Sequence, residues 1–226
     1  MTRKPIAAVL GIVTAKMPGL VSGIGETKKR KRAPQTAENK SSKRHAIEHN
    51  TASDDDPQAQ IVLLENQILE SRRHYNNIVT LMTILNEPDN RQHQDITAAI
   101  ALCRVFSRLS VAGKLSKTKN APENEAIIVD WLKERYRDYI EALLGLLGHG
   151  NLARQNTALT LLLRLLKVDA AYVNPGEERT MRTGLFSKII RALVNAVVGQ
   201  EVREEFVEKY VEKYDDIRYY TFANIA

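Results

Sequence analysis

The sequence predicts an all-α protein, an irregular α-solenoid of antiparallel helical hairpins of the HEAT or armadillo kind, set behind a basic N-terminal tail. Three observations predict it. From Pro57 onward apolar residues recur at three, four and seven residues, the period of one helix face. Gly, Pro, Asn and Asp fall between those runs as start and stop signals. No stretch shows the two-residue alternation of a strand.

The elements follow in order. Asp54, Asp55 and Asp56 before Pro57 pair an Asp N-cap with Pro at the first helical position, so a helix opens there. Ile61, Leu64, Ile68, Tyr75, Ile78, Met82 and Leu85 carry it over residues 57–86, and Pro88 stops it. A second helix over 95–112 has the stripe Ile96, Ala99, Ile100, Cys103, Phe106 and Leu109, with Gly113 as a left-handed C-terminal cap. A basic loop fills 114–120. The third helix starts near Pro122, carries Ile127, Ile128, Trp131, Leu132, Tyr136, Tyr139, Ile140, Leu143 and Leu147, and ends at Gly148 and Gly150.

Asn151 caps the fourth helix, 152–168. Leu159, Leu161, Leu162, Leu163, Leu165 and Leu166 make it apolar on most sides, which predicts a place between neighbours at the centre of the core. Asn174, Pro175 and Gly176 mark a turn, and a fifth helix spans 181–198 on Leu185, Phe186, Ile189, Ile190, Leu193, Val194 and Val197 until Gly199. A sixth covers 201–214, and Asp215 with Asp216 opens a seventh containing Ile217, Tyr220 and Phe222. Helix starts near 57, 95, 122, 151, 181 and 201 group into pairs about 40 to 60 residues long, the neighbourhood of HEAT and armadillo units, with a compact bundle as the alternative. The last helix reaches Ala226 with no cap and no polar helix over its apolar face, so a solenoid reading predicts a fragment or a truncated gene product.

Charge divides the chain into two parts. Residues 1–56 hold 11 Lys/Arg against 6 Asp/Glu, while residues 57–226 hold 22 against 21. Lys28, Lys29, Arg30, Lys31 and Arg32 run without a break, and Lys43 and Arg44 follow after ten residues, the spacing of a bipartite nuclear import signal. Such clusters meet an acidic receptor groove or a phosphate chain equally well; the spacing favours an import receptor and leaves tail-mediated RNA contact open. Residues 35–56 are polar and have little to bury, so 1–56 is expected to be a disordered tail and 57–226 a helical-repeat domain. Residues 6–13 are apolar behind Arg3 and Lys4, like a signal peptide, but Lys16 and Pro18 interrupt the run and it is too short to span a membrane.

Chemistry is scarce. The single cysteine, Cys103, beside Leu102 and Phe106, forms no intramolecular disulfide and reads as a small buried hydrophobe. Of His45, His49, His74, His93 and His149, only the first two stand at metal-ligand spacing, and they lie in the polar linker. No phosphate-cradling glycine loop, nucleophile elbow or dinucleotide fingerprint is present, so neither an enzyme, a cofactor nor a small-molecule substrate is expected.

Four runs carry more identity: ILESRRHYNNIVTL at 68–81, ALCRVFSRL at 101–109, IVDWLKER at 128–135 and VREEFVEKYVEKYDDIRYYTF at 202–222. Together with the KKRKR tract they resemble the fungal nucleolar complex protein four family, small-subunit ribosome-biogenesis factors related to the CCAAT-binding-factor group. The resemblance covers residues 28–226. It implies a non-enzymatic helical-repeat scaffold in the nucleolus, acting in small-subunit assembly and ribosomal RNA processing with a larger nucleolar protein partner. Residues 1–25 do not match a family start, and the family's C-terminal domain, with its partner surface, would lie beyond Ala226. A nuclear adaptor outside ribosome assembly, or an RNA-binding module acting through the tail, are the other readings.

Two places are expected to meet a partner. Arg72 and Arg73 lie near Glu65 and Glu70 and are either a paired, solvated helix face or a protein or RNA contact. Tyr210, Tyr214, Tyr219, Tyr220 and Phe222 are either core packing or a docking surface.

Overall fold

The computed structural model describes residues 56–87, 94–116, 122–173, 181–195 and 197–226. Among these there are eight α-helices and no strand: α1 (Pro57–Glu70), α2 (Asn77–Asn86), α3 (Gln94–Val111), α4 (Glu123–Leu147), α5 (Leu152–Val168), α6 (Leu185–Val194), α7 (Gln200–Phe206) and α8 (Asp215–Ile225). A 3-10 turn, Arg72–His74, joins α1 to α2, and π-helical turns Asp169–Val173 and Val207–Val211 follow α5 and α7. The basic clusters of the tail, Pro88, His45, His49, His93, most of the 114–120 loop and the turn at 174–176 lie outside the described residues.

Several local expectations hold for the reason given. The Asp56 side chain accepts from the amide of Gln58, with Pro57 at the first position of α1. Asn151 accepts from the amide of Arg154 at the start of α5. Gly113 sits at φ 70, and the amide of Lys114 reaches back to the Leu109 carbonyl at 2.9 Å, closing α3 with a left-handed cap.

The expected single helix over 57–86 is two. Ser71 is extended, at φ −148 and ψ 141; its hydroxyl accepts from the amide of Arg73, and its own amide still bonds to Gln67. A serine side chain thus replaces one turn of helix with a local cap. The break keeps Tyr75 and Ile78 buried in line with Ile68, so the apolar period survives it. Asn77 Nδ2 donates to Gln67 Oε1 at 2.7 Å across the kink.

Two further boundaries move. α6 ends at Val194, where Asn195 is extended, and Val194 and Val197 are exposed instead of continuing the stripe. The helix expected over 201–214 is α7 followed by a π turn, closed by the Tyr210 carbonyl accepting from Tyr214. Ile127, expected on the buried face of α4, is 61% exposed, and Trp131 is half-buried with Arg135 stacked 5.9 Å above its ring.

Burial is continuous from Ile61 to Ile217. α5 is central, as its composition predicts: Leu159, Leu161, Leu162, Leu165 and Leu166 are buried, and the helix packs on α3, α4, α6 and α7. α3 shares that position, touching α1, α2, α4 and α5. Its Ala98, Ala99 and Ala101 are fully buried, small side chains that let neighbouring helices approach on more than one side. The helices are also tied by polar bonds. Tyr139 Oη donates to the Ala99 carbonyl at 2.6 Å, and Arg154 Nε donates to Asp95 Oδ2 at 2.7 Å. Arg104 grips Glu65 with two nitrogens, at 2.8 and 2.5 Å. Cys103 is buried beside this seam, and burial pushes its thiol pKa up.

Candidate protein-interaction surfaces

Of the two readings for Arg72 and Arg73, the face paired with Glu65 and Glu70 does not form among the described residues. Glu65 points inward and is held by Arg104 from α3, because α1 packs its buried stripe on that helix. Arg72 instead reaches Glu125 at the start of α4, at 3.1 Å, with both side chains about half exposed. Arg73 is exposed on the 3-10 turn. Arg72 is therefore a surface strut between two hairpins, and Arg73 projects from it.

The C-terminal aromatics separate into two sets. Tyr210 stacks on the buried Phe206 with ring centres 5.8 Å apart, and Tyr210, Tyr214 and Tyr220 pack half-buried against the core. Tyr219 is 57% and Phe222 61% exposed, and Ile225 lies beyond them on the same outer side of α8. Ile217 and Thr221 are the positions of α8 that face inward. Tyr219 meets the edge of Tyr220 at 5.1 Å, and its hydroxyl accepts from Arg182 at 3.2 Å. Core packing and an apolar outer surface coexist here, divided by the helix period.

A third feature was not singled out from the sequence. A groove of about 570 Å³ opens between α4, the π turn Asp169–Val173 and the start of α6. Lys133 and Arg137 line it from α4, and Lys188 from α6, where it pairs with Glu141 at 2.6 Å. Ile140, Val173 and Leu185 supply apolar wall. Tyr136 also lines it; its ring is buried against Phe106, centroids 5.3 Å apart, and its buried hydroxyl has no hydrogen-bond partner among the described residues. Burial and the nearby Asp169 carboxylate both push the Tyr136 pKa well up, so the hydroxyl keeps its proton. Only one trace of the groove shows in the sequence, the polar line Asp130, Lys133, Arg137 along a helix whose other side is apolar. Asp169 and Lys188 join it through tertiary packing alone.

Among the described residues no three His, Cys, Asp or Glu side chains come together as a metal site, and no helix is long and apolar enough to cross a membrane. The family model described as Nucleolar complex protein 4-like, TPR repeats, matches residues 50–226. An uncharacterized protein of Schizosaccharomyces pombe is 33% identical over 109 residues, a stretch that is 47% of this chain and 22% of that protein. The match therefore spans about a fifth of that relative's length. No solved structure matches the chain. The family's repeats are of the tetratricopeptide type, helix–turn–helix units of about 34 residues, which fits stacked hairpins with a common core. With its helical body matched from end to end, the chain belongs to the Nucleolar complex protein 4-like family.

Proposed function

We propose that the chain is a non-enzymatic scaffold in nucleolar assembly of the small ribosomal subunit and in processing of its ribosomal RNA. The observation that carries this is the family match across residues 50–226, which takes in every described helix. A stacked-hairpin body supports it physically, because such stacks offer long surfaces to other proteins. Lys28, Lys29, Arg30, Lys31, Arg32, Lys43 and Arg44 would deliver the protein to the nucleus through an import receptor and, once there, contact precursor RNA. Its protein partner is a component of the small-subunit precursor particle, met through the exposed side of α8 at Tyr219 and Phe222, with Tyr210, Tyr214 and Tyr220 holding that side in place, and through Arg72 and Arg73.

Depletion of the protein from its own cells tests this. Small subunits should fall relative to large ones, with uncleaved precursors of the small-subunit RNA accumulating, and the tagged protein should sediment with large particles. A normal subunit ratio with a protein sedimenting alone would remove the proposal and leave a nuclear adaptor outside ribosome assembly.

A further inference from the structure

We propose that the groove between α4, the π turn Asp169–Val173 and the start of α6 binds an acidic segment of a partner protein. The inference goes beyond the nucleolar scaffold reading and does not depend on it, since it rests on the groove's own shape and charge. The groove, about 570 Å³, is of the size of ligand-binding clefts, roughly 300 to 1,000 Å³. Ile140, Val173 and Leu185 give it an apolar wall.

Its charge is arranged for an anion. Lys133 and Arg137 stand one turn apart on α4 and have no ion pair among the described residues, and Lys188 faces them from α6. The acids of the groove, Asp130 and Asp169, are engaged in interactions of their own. The start of α6 opens on the same space: Gly184 at the N-cap offers no side chain to its amides, and the first turn carries no acidic residue. The first-turn amides of a helix carry partial positive charge. Tyr136, 4% exposed, forms part of the wall, and its buried hydroxyl has no hydrogen-bond partner among the described residues. A buried donor without a partner is unusual in a folded protein.

A peptide fits these features better than RNA. A phosphate chain is held by a run of cations, whereas residues 57–226 are nearly balanced in charge and Asp130 and Asp169 interrupt the groove. A single carboxylate can sit among Lys133, Arg137 and the α6 amides while apolar neighbours along the peptide cover Ile140 and Leu185.

The test is fluorescence anisotropy with a labelled octapeptide of alternating Glu and Leu. The full chain is used, with the tail clusters Lys28, Lys29, Arg30, Lys31, Arg32, Lys43 and Arg44 changed to Gln so that the tail does not capture the probe. The acidic peptide should bind, its Gln counterpart should not, and added salt should weaken binding. The double change Lys133→Glu and Arg137→Glu should weaken it about tenfold or more, the loss of two partly exposed ion pairs turned to repulsion. If that variant does not keep the wild-type melting curve, Lys133→Gln and Arg137→Gln singly should each cost about threefold. On the unaltered groove, peptide addition should shift the amide resonances of Gly184 and Leu185. Equal binding of the Gln peptide, unaltered affinity in the groove variants, or no binding of the acidic peptide would each overturn the proposal. A single-stranded RNA octamer that binds the groove in place of the peptide would overturn it in favour of nucleic acid.

Discussion

Replacing Arg154 by Met removes the countercharge of a carboxylate buried between α3 and α5. The pair is close, Nε to Oδ2 at 2.7 Å, with side-chain exposures of 19% for Arg154 and 5% for Asp95. The other carboxylate oxygen, Oδ1, has no partner even in the intact protein. Leaving one ion of such a pair buried costs about 3–5 kcal/mol. Part of that is recovered because Asp95 lies in the first turn of α3, where the helix dipole favours negative charge by about 0.3–1 kcal/mol. The expected loss is therefore about 2–4 kcal/mol, or roughly 5–15 °C in Tm at about 2–4 °C per kcal/mol for a domain of this size. Urea unfolding followed by far-UV circular dichroism measures it. The double change Arg154→Met and Asp95→Leu should recover most of the loss, since an apolar pair of similar volume needs no desolvated charge. A loss below about 1 kcal/mol for Arg154→Met, or a double variant no better than the single, would refute the assignment of the cost to a stranded carboxylate.

Leu162→Ala, at a fully buried position of the central α5, should cost about 2–5 kcal/mol, and a calorimetric melt unaltered by it would remove α5 from the centre of the core. On the alkaline side, stability should begin to fall above about pH 8. Burial raises the pKa of Cys103, Tyr136 and Tyr139 in the folded state, so the unfolded chain releases protons first, at about pH 8.5 to 10, and the native state loses about 1.4 kcal/mol per pH unit for each proton it alone retains. Tyr136→Phe should make that alkaline slope shallower in urea titrations at rising pH; an unchanged slope would show that Tyr136 does not titrate with unfolding. Replacing Lys29, Arg30, Lys31 and Arg32 by Ala should move a fusion with a bulky reporter to the cytoplasm, and undiminished nuclear signal in the microscope would count against the import reading.

Helix order and most boundaries were legible because they depend on residues near one another in the chain. Asp56 with Pro57, Gly113 and Asn151 act within a turn or two, and the apolar period follows from backbone geometry. The break at Ser71 was not legible, since serine bonding to its own backbone competes with the helix only when tertiary packing rewards the kink. Ala98 and Ala101 were undervalued because small residues weigh little in an apolar count yet permit close helix packing.

The interaction surfaces divide along the same line. Composition and periodicity marked Tyr219 and Phe222 as notable, but only the placement of α8 on α6 put them outside and Ile217 inside. Arg72 and Glu125 are 53 residues apart, Glu65 and Arg104 are 39, and Arg154 and Asp95 are 59. The sequence by itself determined a helical-repeat body, nearly neutral, behind a basic segment, and the family to which it belongs, because propensity, period, charge and identity are properties of the linear chain. Which charges meet, which aromatics are left in water, and that Lys133, Arg137 and Lys188 converge beside an unpartnered Tyr136 were decided by tertiary packing, because helices far apart in sequence set those distances.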